Sequence, residues 1–208
     1  RWLLLALRCL AILMLACGVA QLVAESAVFA NLGGGQKAYV IVWDDSYSTG
    51  FVPPNTTASA SAFARSQKAL ADWLPTLGAA DKVMIIHAAR AAASDARPTP
   101  DKQAVRARVL AAQLSDASTD LPAALDEAAT ALKDIGPSAR YRQLLILTDA
   151  SNSALRDPSR PADAGASEHL VKALAAASAQ ATSTRILDFG TPDQVNMAVT
   201  DITPLHPT

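Results

Sequence analysis

The hydrophobic pattern divides the chain into two unlike parts. From Trp2 to Ala24 it reads WLLLALRCLAILMLACGVAQLVA, apolar almost throughout, with Arg8 its only charge. A helix needs roughly 20 apolar residues to cross the hydrocarbon core of a bilayer, so residues 1–24 are expected to form a transmembrane helix. Arg8 sits near the N-terminal end, where a long side chain can reach the interface. A cleaved signal peptide and a buried core helix are the competing readings. Val28-Phe29-Ala30 is only a mediocre cleavage site, and Leu15 spoils a lipoprotein signal at Cys17. Arg1 and Arg8 precede the apolar run, while Gln21 and Glu25 follow it. The positive-inside rule then puts the N-terminal end in the cytoplasm and the rest outside.

After a connector over residues 25–36 the period changes. Residues 38–43 (AYVIVW) read as a strand buried on both faces, 82–87 (KVMIIH) as a second buried strand, 143–147 (QLLIL) as a third core strand and 184–189 as a fourth strand. Helical patterns lie between them. Residues 59–77 place Phe63, Leu70, Trp73, Leu74 and Leu77 on one face, and residues 121–132 align Leu121, Leu125, Ala128 and Leu132. Thr99-Pro100 is expected to cap a helix to about residue 114, and Ser167 one to about residue 180. This alternation predicts a Rossmann-like α/β fold, a mostly parallel central sheet flanked by helices. Gly33-Gly34-Gly35 precedes a strand and lacks a Lys-Ser/Thr ending, so it is no phosphate loop. Residues 157–161 and Gly165 mark an exposed loop. Gly190-Thr191-Pro192 ends the last core strand with turn chemistry, and the alternation over 196–202 suits a new sheet. The core domain is thus expected over 37–190. Residues 191–208 then form a linker and the first strand of a truncated following domain.

Eighteen basic and nineteen acidic residues give a net charge of -1. No basic stripe is present, which argues against a nucleic-acid partner. Cys9 and Cys17 both fall in the first apolar stretch, about 12 Å apart if helical, too far for a disulfide. No cysteine follows, so a thiolate metal site is excluded. The chain opens on Arg1 instead of Met and is expected to be part of something longer.

The first strand runs straight into Asp44-Asp45-Ser46-Tyr47-Ser48-Thr49-Gly50. The i, i+2, i+4 spacing of Asp44, Ser46 and Ser48 lets three oxygen side chains converge. A carboxylate with two hydroxyls is a hard donor set, suited to Mg²⁺ or Mn²⁺. Its position also fits, because open α/β sheets bind ligands beyond the carboxyl ends of strands. Ser118-Thr119-Asp120 stands before the helix at Leu121, and Thr148-Asp149-Ala150 ends the strand QLLIL.

Together these three fragments, over about residues 37 to 190, resemble the metal-ion-dependent adhesion site of the von Willebrand factor type A family. The resemblance implies a Mg²⁺ or Mn²⁺ ion held directly or through water by Asp44, Ser46, Ser48, Thr119 and Asp149. A carboxylate from a protein partner would complete its shell, with no small-molecule substrate and no catalysis. RWLLLALRCLAILMLA before such a domain is similar to Bat-type (aerotolerance-regulator) bacterial membrane proteins. That likeness implies a single span in this chain, anchored in the bacterial inner membrane through residues 2–24. The domain would then be extracytoplasmic, and its partners other membrane or envelope proteins. Two positions depart from the family pattern: Ala117-Ser118 replaces a common Gly pair, and Ala150 the usual Gly after the third-loop Asp.

Other readings compete. Asp44, Ser46 and Ser48 also suit a plain strand-end turn. Asp45 and Asp120 read as solvated or capping residues, and His87 as a packed core histidine. Period-2 spacing points Asp45 away from the ion, so its loss is expected to matter little to metal binding. The rival class is a Mg-dependent phosphatase-like or regulatory α/β domain. A haloacid-dehalogenase-type phosphatase needs a second Asp where Ser46 stands, and no Gly-x-Ser-x-Gly elbow of a serine hydrolase is present.

Overall fold

The computed structural model describes residues 36–53, 56–151 and 167–191, with a few positions between Trp2 and Met14. Among these residues no helix is long and apolar enough to cross a membrane. Nearly all of the expected span 1–24 and connector 25–36, the loop 157–161 and the tail beyond Thr191 lie outside the described residues.

Four strands form the sheet: β1 (Lys37–Trp43), β2 (Lys82–His87), β3 (Tyr141–Thr148) and β4 (Ser183–Asp188). Four helices accompany them: α1 (Ala62–Trp73), α2 (Lys102–Ala111), α3 (Leu121–Ile135) and α4 (Glu168–Gln180). Every pairing is parallel and the order is β2-β1-β3-β4. The chain steps from β1 to one side, then returns to β1's other side as β3. The crevice above the carboxyl ends of β1 and β3 is therefore the switch point of this sheet, where α/β folds bind ligands.

Alternate strand residues feed two cores. Val40, Val42, Met84, Ile86, Leu144 and Ile146 pack on α3 and α4. Ile41, Trp43, Val83, Ile85, Leu145 and Leu147 pack on α1 and α2. Both faces are covered, which is why these strands read as unbroken apolar runs. Buried Trp43 stacks on Phe63 with ring centroids 5.2 Å apart, and its indole N–H donates to Ser66 Oγ (2.9 Å). Side-chain burial of this kind contributes about 1.5–3 kcal/mol per large residue. β4 is the exception: Ile186 and Leu187 are 56% and 41% exposed.

Each helix starts on a side-chain cap: Ser61, Asp101, Asp120 and Ser167 accept from the backbone N–H three residues ahead. The cap of α2 is Asp101, not the expected Thr99-Pro100. Thr99 is committed elsewhere, exchanging both backbone hydrogen bonds with Val83 at 2.9 Å, so the helix begins only after it. α1 is shorter than the apolar pattern suggested. Residues 58–60 and 74–76 are 3-10 turns, and Pro75 has no N–H to extend the α-helical ladder.

Candidate metal centre

The first loop leaves β1 still tied to its neighbour, Asp44 N–H donating to Leu147 O (2.9 Å). Asp44 Oδ1 accepts from Ser46 N–H (3.1 Å), and Oδ2 from the Thr148 hydroxyl (3.1 Å). Ser46 Oγ and Ser48 Oγ lie 3.2 Å apart, and Ser48 Oγ lies 3.5 Å from Ser151 Oγ. A 3-10 turn over Tyr47–Gly50 brings the hydroxyls round; Thr49 donates to Ser46 O from both its N–H (3.0 Å) and its hydroxyl (2.7 Å). From the third loop, Asp149 Oδ1 accepts from Ser151 N–H (3.0 Å). Asp44, Ser46 and Asp149 are all buried.

Burial pushes the Asp44 carboxyl above the usual carboxylate range, and the neighbouring Asp149 charge adds to the rise against hydrogen bonds from Ser46 and Thr148. Among the described residues no ion pair reaches Asp44 or Asp149. Among the described residues two buried side-chain oxygens have no hydrogen-bond partner, and both belong to expected ligands: Thr119 Oγ1 and Asp149 Oδ2. A buried acceptor without a partner costs about 1–3 kcal/mol, so such atoms are rare without a reason. Among the described residues no group of three or more His, Cys, Asp or Glu side chains is placed to hold a metal. A cation here would rest on two carboxylates and several hydroxyls.

The loop carrying Thr119 is fastened to the first loop by backbone bonds: Tyr47 N–H to Ala117 O (3.2 Å) and Ser115 N–H to Asp45 O (2.9 Å). Asp120 N–H donates to Ala88 O (2.8 Å) while its carboxylate caps α3, as expected of it. Asp45 departs from expectation. It is neither solvated nor a helix cap: it is fully buried, and its carboxylate accepts from Ala89 N–H (3.0 Å), Arg90 Nε–H (2.8 Å) and His87 Nδ1 (3.0 Å). Burial alone would raise its pKa, but the His87, Arg90 and Ala89 hydrogen bonds prevail and hold it below the usual carboxylate range. Arg90 also donates to Gln113 O in the second loop. His87 is thus half of a polar pair at the end of β2, not a plain core residue. His87 and Arg90 lie 42 and 45 residues from Asp45, so nothing local in the sequence links them.

Two backbone features shape the third loop. Ala150 has φ 50°, the left-handed region, which accounts for the glycine usual in the family pattern. Gly190 lies so close that an added Cβ would stand 2.5 Å from Asp149 O. The segment after β4 therefore braces the loop that carries Asp149. Ser151 was missed in the sequence, where one serine near Asp149 gives no signal of its own.

Residues 39–151 match the family model of the von Willebrand factor type A domain. The chain belongs to this family. Among curated proteins no relative matches. Among solved structures, an aerotolerance-related membrane protein from Bacteroides fragilis is similar at 17% identity and a TM-score of 0.56, covering 84% of this chain and 77% of that chain. The pilus adhesin SpaC from Lactobacillus rhamnosus GG is 17% identical over 55% of this chain and 15% of that chain, with a TM-score of 0.44. The vWF domain of the type V pili tip protein Mfa5 from Porphyromonas gingivalis is 18% identical over 56% of this chain and 38% of that chain, with a TM-score of 0.42. In this von Willebrand factor type A domain, the α/β architecture and the parallel sheet stand as the sequence led one to expect.

Proposed function

We infer that this chain is a membrane-anchored interaction domain of the Bat type, which binds a partner protein through one Mg²⁺ or Mn²⁺ ion. Asp44, Ser46, Ser48, Thr119 and Asp149 would hold the ion. The observation that carries this reading is the pair of orphaned buried oxygens, Thr119 Oγ1 and Asp149 Oδ2, on two different loops at the sheet's switch point. A divalent cation supplies the missing partner for both and relieves the repulsion between Asp44 and Asp149. The bound ion would offer Lewis acidity to a carboxylate from the partner. Two carboxylates neutralise a doubly charged ion, so the third anion comes at little electrostatic cost.

The donor set is one for binding, not turnover. Ser46 occupies the place where a phosphatase would need its second aspartate, and His87 is spoken for by Asp45. The apolar run of residues 2–24 supports the anchor, and Arg1 and Arg8 support an extracytoplasmic domain in the bacterial inner membrane. Its partners are then other membrane or envelope proteins. The test is capture from detergent-solubilised membranes with the purified chain, in Mg²⁺ and in chelator. The same protein should be retained by the parent in Mg²⁺ only, and not by Asp149→Ala; retention indifferent to chelator and to Asp149→Ala would refute the metal-dependent reading.

A further inference from the structure

Among the described residues from 36 onward eight large apolar side chains are exposed, and three of them stand on one loop. Tyr47 is 70% exposed, Phe51 36% and Val52 38%, on the loop that also carries Ser46 and Ser48. The others, Leu110, Tyr141, Val171, Ile186 and Leu187, are spread over α2, β3, α4 and β4. Asp45 points inward, to His87 and Arg90, whereas Tyr47, between Ser46 and Ser48 in the chain, opens the 3-10 turn and stands out to solvent. The loop is also held firmly. Thr49 donates twice to Ser46 O, Phe51 N–H donates to Ser48 O (3.2 Å), and Tyr47 N–H to Ala117 O (3.2 Å). At Gly50 the backbone lies so close to Leu114 that an added Cβ would stand 2.2 Å from its Cδ2. Aromatic side chains on a preformed loop lose little entropy on binding, which is why they anchor interfaces.

We propose that this loop reads the residues next to the partner's carboxylate, so that the ligand is an extended acidic segment with a large apolar side chain beside its Asp or Glu. The proposal rests on the cation reading above, in which the ion held by Asp44 and Asp149 takes the partner's carboxylate and so sets the acidic half of the motif. The apolar half follows from Tyr47 and Phe51, one and three residues from Ser48. An extended segment advances about 3.3 Å per residue, so a side chain one or two positions from the carboxylate reaches this rim.

The test uses the full chain in detergent on an array of Gly/Ser peptides, each with one central Asp or Glu and varied neighbours. In Mg²⁺, peptides with Tyr, Phe, Leu or Met beside the acid should bind about tenfold better than those with Gly or Ser there. Chelator should abolish binding. The double variant Tyr47→Ser/Phe51→Ser should keep its Mn²⁺ affinity and its need for the acid, but lose the preference. Equal binding whatever the neighbour, retention of no acidic peptide, or a preference that survives in the variant would each overturn the proposal. So would a dimer of the parent that the double variant lacks, since the rim would then serve a second copy. Mn²⁺ titration without peptide separates the two ideas: a parent that binds Mn²⁺ and shows no apolar preference refutes this proposal alone, and one that binds no Mn²⁺ refutes the cation reading.

Discussion

Asp44 shows how one residue is set by opposing demands. Folding buries its carboxyl beside Asp149 and gives it Ser46 N–H and the Thr148 hydroxyl, yet the net effect is a raised pKa, with burial the largest cause. A carboxyl whose folded pKa exceeds its unfolded one stabilises the fold fully at low pH and loses that contribution as pH rises through the folded value. The metal-free domain should therefore lose stability on going upward from about pH 4, the unfolded carboxylate value. Asp45 works in the opposite sense, its depressed pKa giving stability that is lost as pH falls through its folded value. Asp44→Asn removes the first effect and leaves the second. Urea midpoints measured in chelator should fall with rising pH in the parent and flatten in Asp44→Asn; identical profiles would remove Asp44 as the source. Ala150 offers a simpler test. Its left-handed φ of 50° strains any residue with a Cβ, so Ala150→Gly should stabilise the domain by about 1 kcal/mol, read from denaturant midpoints.

At the scale of elements, the site is where three loops are fastened together. Asp44 ties the first to the third through Thr148 and Leu147; Asp45 and Arg90 tie the first to the second through Ser115 and Gln113. Asp45→Ala would strand the Ala89 N–H and leave Arg90 and His87 without their acceptor. It should cost about 3 kcal/mol, far from the mild effect expected of a solvated residue. Thermal unfolding of Asp45→Ala and Asp45→Asn would check this, the amide recovering part of the loss; no shift in either would mean the knot is not structural. This feature was not legible in the sequence. Its members lie 42 and 45 residues apart, and each alone is an ordinary polar residue at a strand end. Asp44, Ser46 and Ser48 stood out by their local spacing, and Thr119 and Asp149 by standing just before a helix and just after a strand; the structure ties their three loops together at one end of the sheet. β1 and β2 were plain because both their faces are covered and they read as apolar runs, whereas β4 is exposed and carries Thr184 and Arg185. The start of α2 was not plain, because Thr99's backbone is used by Val83.

At the scale of the molecule, both apolar layers are built, among the described residues, between Tyr39 and Phe189. The chain leaves the last strand in a turn at Gly190, whose N–H is held by Asp188 Oδ1 (2.6 Å). A chain trimmed after Thr191 should melt within about 2 °C of the parent, given that each kcal/mol in a domain of this size is worth a few degrees. A fall of many degrees would make the tail part of the fold. The same architecture puts the loops of Asp44, Thr119 and Asp149 at one end of the sheet. The account stands on what those loops hold. Titration calorimetry with Mn²⁺, on the parent and on Asp44→Ala, addresses it most directly. One ion per chain should bind the parent with modest affinity, and none the variant, while thermal unfolding shows both still folded. Equal binding by the two proteins, or none by either, would contradict the assignment of this site.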